Sequence, residues 1–309
     1  MPHDHELHQD LSQGPESGQG DCRDQEDDGR TGGLSLRDRP LPPPGPIAGR
    51  PFSDDDPLFT VIVTDYEPSV SRDFLRRKMA SLAGQTCKDF EVLVYHDGPK
   101  SQSYADDMAE SPMHPATEFI VTPERIGDWG HAARDLGIRA ARGKFIIHTN
   151  ADNIFYPNLI AVLKDALTDP QPWTFVRNPQ QIRIPASAKW LARMLNLDLQ
   201  AMFRNVAPIE EHSTDPDILV YAIILRGNLP VASGMFRVFE TAPRQGVVFG
   251  GVPVKFNNID AMQLVMKRSL WLAEGGWHDR RINSDAIMYP LFAGKYRVLA
   301  IPAVLGEHW

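Results

Sequence analysis

The densest chemistry in the chain lies in Phe145-Ile146-Ile147-His148-Thr149-Asn150-Ala151-Asp152-Asn153, where an apolar run stops on a carboxylate flanked by amides and a hydroxyl. Oxygen donors of this kind suit a hard cation. Mg2+ and Mn2+ take one or two protein carboxylates, and phosphate and water oxygens complete the shell. A strand followed by a polar turn is also ordinary punctuation, so the motif gains meaning only from residues elsewhere. Two earlier apolar runs end alike, at Thr64-Asp65-Tyr66 and at His96-Asp97-Gly98. Taken by themselves, Tyr66 would serve as a core-edge aromatic and Asp97 as a turn former before Gly98. Near the C-terminus, Asp285 is suited to cap the following helix. His308, in Gly306-Glu307-His308-Trp309, offers an imidazole.

The elements that must position these residues alternate. Phe59-Thr60-Val61-Ile62-Val63 is β-branched and apolar, which predicts a buried strand running into a loop. Phe74, Leu75, Met79 and Leu82 recur at helical spacing up to Ala83, and Gly84 stops the pattern. Strands follow over Phe90 to Tyr95, Phe119 to Val121 and Phe145 to His148, with a helix from about His131 to Ala141 behind Gly127-Asp128-Trp129-Gly130. Such alternation predicts an α/β fold with a mostly parallel sheet flanked by helices, which binds ligands at the carboxyl ends of its strands. Thr64, Tyr66, Asp97 and Asp152 all fall at such ends. Residues 173–254 are less regular, with short apolar runs at Ile218 to Leu225 and Gly246 to Gly251 that read as further strands, with loops over the site.

These residues together resemble the family two glycosyltransferases of the GT-A fold. The likeness runs through Val61-Ile62-Val63-Thr64-Asp65-Tyr66, Ser81 to Val94 and His96-Asp97-Gly98. It continues through Ala133-Arg134-Asp135-Leu136-Gly137-Ile138, Ala141 to Ile146 and Asn150-Ala151-Asp152-Asn153 with Pro157. It covers residues 58–168 and returns over Met266 to Trp309. The resemblance implies an inverting transfer of sugar from a nucleotide-diphosphate sugar, UDP-linked, to a saccharide or other hydroxyl acceptor, helped by Mn2+ or Mg2+. It makes Thr64, Tyr66 and Asp97 base-binding and sets Arg134 against the diphosphate. The family's metal motif falls on Asn150-Ala151-Asp152, so Asp152 keeps the metal position and Asn150 offers only an amide oxygen. His308 becomes an additional metal ligand. Gly275-Gly276-Trp277-His278-Asp279 resembles the acceptor-side motif, and Asp285 becomes the general base, with Ser284 where an acidic neighbour is usual. The departures at Asn150 and Ser284 leave a second reading open, a nucleotide-sugar-binding protein with little or no turnover. A nucleotidyltransferase is disfavoured, because residues 64–70 hold no glycine for a phosphate loop.

Composition narrows the classes further. A net charge of −8 argues against nucleic acid, whose phosphates are met by clustered Lys and Arg. Cys22 and Cys87 are the only cysteines, so the expected compartment is the reducing cytoplasm. No run of about 18 apolar residues occurs, so no membrane span is expected and any lipid contact is peripheral. Residues 1–57, with Pro42-Pro43-Pro44-Gly45-Pro46, read as a disordered acidic tail, in which His3, His5 and His8 receive no role. Residues 58–168 then form the nucleotide-sugar half and 169–309 the acceptor-binding and catalytic half of one domain. Trp190, Met194, Met202, Phe203 and Trp271 would line either an acceptor groove or the core.

Overall fold

The computed structural model describes residues 52–66, 72–169, 174–176, 215–226, 247–255, 258–281 and 284–309. The expectations for the tail before residue 52 and for Trp190, Met194, Met202 and Phe203 lie outside them. In chain order the strands are β1 (Phe59–Asp65), β2 (Phe90–His96), β3 (Thr117–Val121), β4 (Phe145–Asn150), β5 (Asn153–Phe155), β6 (Thr174–Val176), β7 (Ile218–Leu225), β8 (Val247–Phe249), β9 (Leu264–Lys267) and β10 (Val298–His308). The described helices are α1 (Arg72–Ala83), α2 (Gln102–Glu110), α3 (His131–Ala140), α4 (Leu159–Thr168), α5 (Arg268–Ala273) and α6 (Ser284–Lys295).

Strands β3, β2, β1 and β4 lie side by side and parallel, as the strand and helix alternation predicts. Their register sets Asp65 beside His96 and Thr64 beside Asn150, so the polar residues that end three separate strands share one edge. Beyond β4 the sheet turns antiparallel through β9 and β7, then takes in β10 and β5, which makes it mixed. The period-two side-chain alternation of β1 explains the layers. Val61 and Val63 face one core with Leu75 and Met79 of α1, Met108 of α2 and Leu163 of α4. Ile62 faces another, built from Ile138 of α3, Trp271 of α5 and Trp277, Tyr289 and Phe292. Trp271 is fully buried there and so belongs to the core. Helix α3 lies close on β1 because Gly137 faces Ile62: a Cβ at that position would stand 2.7 Å from Ile62 Cγ2. Among the described residues no helix is long and apolar enough to cross a membrane.

Candidate active site

The carboxyl edge of β1, β2 and β4 gathers the expected residues into three neighbouring groups. At the first, Tyr66 is half-buried and the Arg125 guanidinium carbon stands 4.5 Å from its ring centroid. Arg125 also packs beside Gly98, which follows Asp97. Asp97 is buried, and its carboxylate already accepts two backbone N–H groups, from Ile126 to Oδ1 at 2.7 Å and from Gly127 to Oδ2 at 2.9 Å. Its present work is therefore to hold the loop after β3. Beneath it, the Asp65 carboxylate is turned inward, 2.8 Å from His96 Nδ1 and hydrogen-bonded by the Tyr104 hydroxyl.

The second group is a hydrogen-bonded chain. Thr64 Oγ1 donates to Asn150 Oδ1 at 2.9 Å, and Arg134 Nη2 donates to the same oxygen at 2.5 Å. An amide oxygen has two lone pairs, so both are engaged. Arg134 is 3% exposed; Nη1 donates to Trp129 O at 2.8 Å, and the guanidinium carbon lies 5.0 Å from the Trp277 ring centroid. Burial lowers its pKa, with Tyr289, Asp285, Asp128 and Asp260 drawing it back up. Arg134 thus braces the site from within, joining the α3 N-terminus to β4. His131, stacked on Trp277, is buried and neutral: burial and then Arg134 push its pKa down to about 3.

The third group is acidic. Asp152 Oδ1 is buried with no hydrogen-bond partner, and burial raises its pKa while His308 pulls it down. His308 Nδ1 stands 2.8 Å from Asp260 Oδ2. Burial alone would lower the imidazole's pKa, but Asp260, then Asp152 and Asp285, push it up to about 9. Asp285, in the first turn of α6, is raised to about 6 by burial and then by the charge of Asp260, against the Ala286 N–H and Arg134. Ser284 beside it accepts from Trp277 Nε1 at 2.9 Å, so it closes the α6 start onto the core. Below the Asp152 turn, Lys78 is fully buried, donates to Thr149 Oγ1 at 2.6 Å and sits 3.5 Å from the Phe155 ring centroid. Burial drives its pKa well below the usual lysine range, opposed by Asp152.

The donor set suits a hard cation, since Asp152 presents an unpartnered carboxylate oxygen. His308 is held through Nδ1 by Asp260, the carboxylate–histidine arrangement that orients imidazole ligands, and a cation would have to displace the Nε2 proton that its raised pKa retains. Among the described residues no three His, Cys, Asp or Glu side chains are grouped as a ready-made cage, so ligand oxygens would have to complete the shell. Asp260, Arg125, His131 and Lys78 are site residues that sequence reasoning missed. Asp260 had one signal, an acidic residue shortly before the apolar run Leu264 to Met266.

Comparison with known proteins identifies the family. The profile of glycosyl transferase family 2 matches residues 60–219, just over half of the chain. The uncharacterized glycosyltransferase MJ1057 of Methanocaldococcus jannaschii is 30% identical over 104 residues, which span 33% of this chain and 34% of that protein. Among solved structures, S. aureus TarS 1–349 is similar over 81% of this chain and 60% of its own, with 14% identity and a TM-score of 0.46. The mannosyltransferase PcManGT from Pyrobaculum calidifontis, solved with GDP-Man and Mn2+, is similar over 88% of this chain and 61% of its own, with 17% identity and a TM-score of 0.43. The motifs along β1, β2 and β4 and the match to the family profile make this chain a member of glycosyl transferase family 2.

Proposed function

We propose that the protein is an inverting glycosyltransferase that moves a sugar from a UDP-linked donor to an acceptor hydroxyl, with Mn2+ or Mg2+ as helper. The observation that carries this reading is the half-buried Asp285, whose pKa of about 6 leaves it ionised at neutral pH yet basic enough to take a proton. In the proposed reaction Asp285 removes the acceptor's hydroxyl proton as that oxygen attacks the anomeric carbon. The bond to the diphosphate breaks on the opposite face, and its electron pair leaves on the phosphate oxygen. Asp152 and His308 Nε2 would hold the cation, which when bound supplies charge stabilisation to the departing diphosphate. Tyr66 and Arg125 flank the proposed base position, the Thr64–Asn150–Arg134 chain keeps the strand ends in register beneath the phosphates, and Asp97 fixes the loop beside them. In this reading residues 58–168 hold the donor and 169–309 the acceptor, and the two cysteines keep the cytoplasm as the proposed compartment.

Asp285→Asn tests it. Loss of UDP release from a UDP-sugar by about a hundredfold or more, with UDP affinity nearly intact, is expected of a general base. A parallel loss of UDP binding would make Asp285 a structural cap instead.

A further inference from the structure

Trp129 is anomalous within this edge. Its side chain is 62% exposed, which for a lone aromatic is unremarkable. Its backbone is not: with φ at +61° it is the one non-glycine residue with positive φ among the described residues, a conformation a bulky L residue rarely holds. The loop around it is held from several sides. Asp97 takes the N–H groups of Ile126 and Gly127. Asp128 Oδ2 accepts from Ala132 N at 2.9 Å and from Arg280 Nη1 at 2.8 Å. Arg134 Nη1 binds Trp129 O, and Gly130 lies against Thr64 so closely that a Cβ would stand 3.0 Å from Thr64 Cβ. These attachments grip backbone and neighbours while the indole stays turned to solvent. Strain that surrounding structure over-determines marks a position selected for something other than packing.

We propose that Trp129 is a stacking platform for the hexosyl ring of the nucleotide-sugar donor, an inference that rests on the donor-site reading above. The apolar C–H face of a sugar ring complements the electron-rich face of an indole. Position selects the sugar over the base. Trp129 is tied through Arg134 to Asn150, on the strand that runs into the Asp152 turn, whereas the base end is marked by Tyr66, Arg125 and Asp97. Arg134, which holds Trp129 O, also feels the charges of Asp285 and Asp260, so the loop carrying the indole is linked to both the base end and the acidic end, between which a transferred sugar would lie.

The test is calorimetric titration, with MnCl2 present, of UDP and of whichever sugar in a panel of UDP-glucose, UDP-N-acetylglucosamine and UDP-galactose binds tightest. Trp129→Ala should weaken the UDP-sugar by about tenfold and leave UDP unchanged, a stacking-sized effect that Trp129→Phe recovers. Trp129→Gly should lose the same affinity with a thermal midpoint as high as wild type or higher, because glycine accepts the positive φ. Unchanged UDP-sugar affinity, equal losses for UDP and UDP-sugar, or a lowered midpoint in the glycine variant would each overturn the assignment. A wild-type chain that binds neither UDP nor any of these sugars overturns the donor-site reading and this inference with it, an outcome distinct from normal wild-type binding that the Trp129 variants leave unmoved.

Discussion

Asn150 stands where a second metal carboxylate is usual in the resemblance, and its surroundings explain why an amide can serve. Its oxygen satisfies both the Thr64 hydroxyl and the buried Arg134 guanidinium, so it organises the strand ends, and in the proposed reading the metal falls to Asp152 and its neighbours. Asn150→Ala would leave the buried Arg134 Nη2 without its acceptor, while Nη1 keeps Trp129 O, and is expected to cost about 2 kcal/mol, read from urea unfolding. Asn150→Asp keeps both acceptor contacts and adds a charge near Asp152. We expect it to strengthen the Mn2+ dependence of UDP binding by about tenfold, because ligand charge tunes affinity for hard cations. An unchanged Mn2+ dependence would mean the oxygen at 150 never faces the cation.

At the scale of elements, the first part of the loop between β3 and α3 is tied down by the Asp97 carboxylate. Asp97→Ala should speed hydrogen exchange at the Ile126 and Gly127 amides by at least about tenfold in the ligand-free protein, since both lose their acceptor. Unchanged exchange would show that the loop is held without Asp97. Gly137→Ala pushes a methyl into Ile62 and should destabilise the α3–β1 contact by about 1–3 kcal/mol. The four parallel strands of this GT-A sheet were legible in sequence because each is a β-branched run that stops on polar residues, and Thr64, Asp97 and Asp152 followed from that punctuation. What stayed hidden depends on long-range partners. Asp260 acquires its place only through His308, 48 residues away, and Asp97 spends its oxygens on a loop about 30 residues on. Arg134 read as a diphosphate ligand because a motif says nothing of burial, whereas in the fold its guanidinium lies beneath the edge. The mixed half, in which β7 pairs antiparallel with β9 and parallel with β10, follows from pairings that no local pattern encodes.

For the whole molecule, the buried neutral histidines should set acid stability. His131 titrates near 3 when folded, and His148, enclosed by Trp271 and Trp277, is held well below its usual value by burial and then by Arg134. Unfolded histidine takes its proton near pH ~6.5, so below that the unfolded chain binds protons the folded one refuses. Stability from these groups is therefore complete above pH ~6.5 and falls as pH drops toward 3. Between pH 7 and pH 5 the raised Asp285 and His308 act in the opposite sense, so the readout is a difference: the thermal midpoint of His131→Phe should fall less, or rise more, than that of wild type, and an identical slope would assign acid lability elsewhere. The central claim concerns the edge where Thr64, Asp97, Asp152 and Asp285 meet. Its most direct test is calorimetric titration of UDP with and without Mn2+, on wild type and on Asp152→Ala. The account predicts that Mn2+ tightens UDP binding to the wild type and that Asp152→Ala abolishes the gain, whereas UDP binding that is absent, or indifferent to Mn2+ in both proteins, would contradict it.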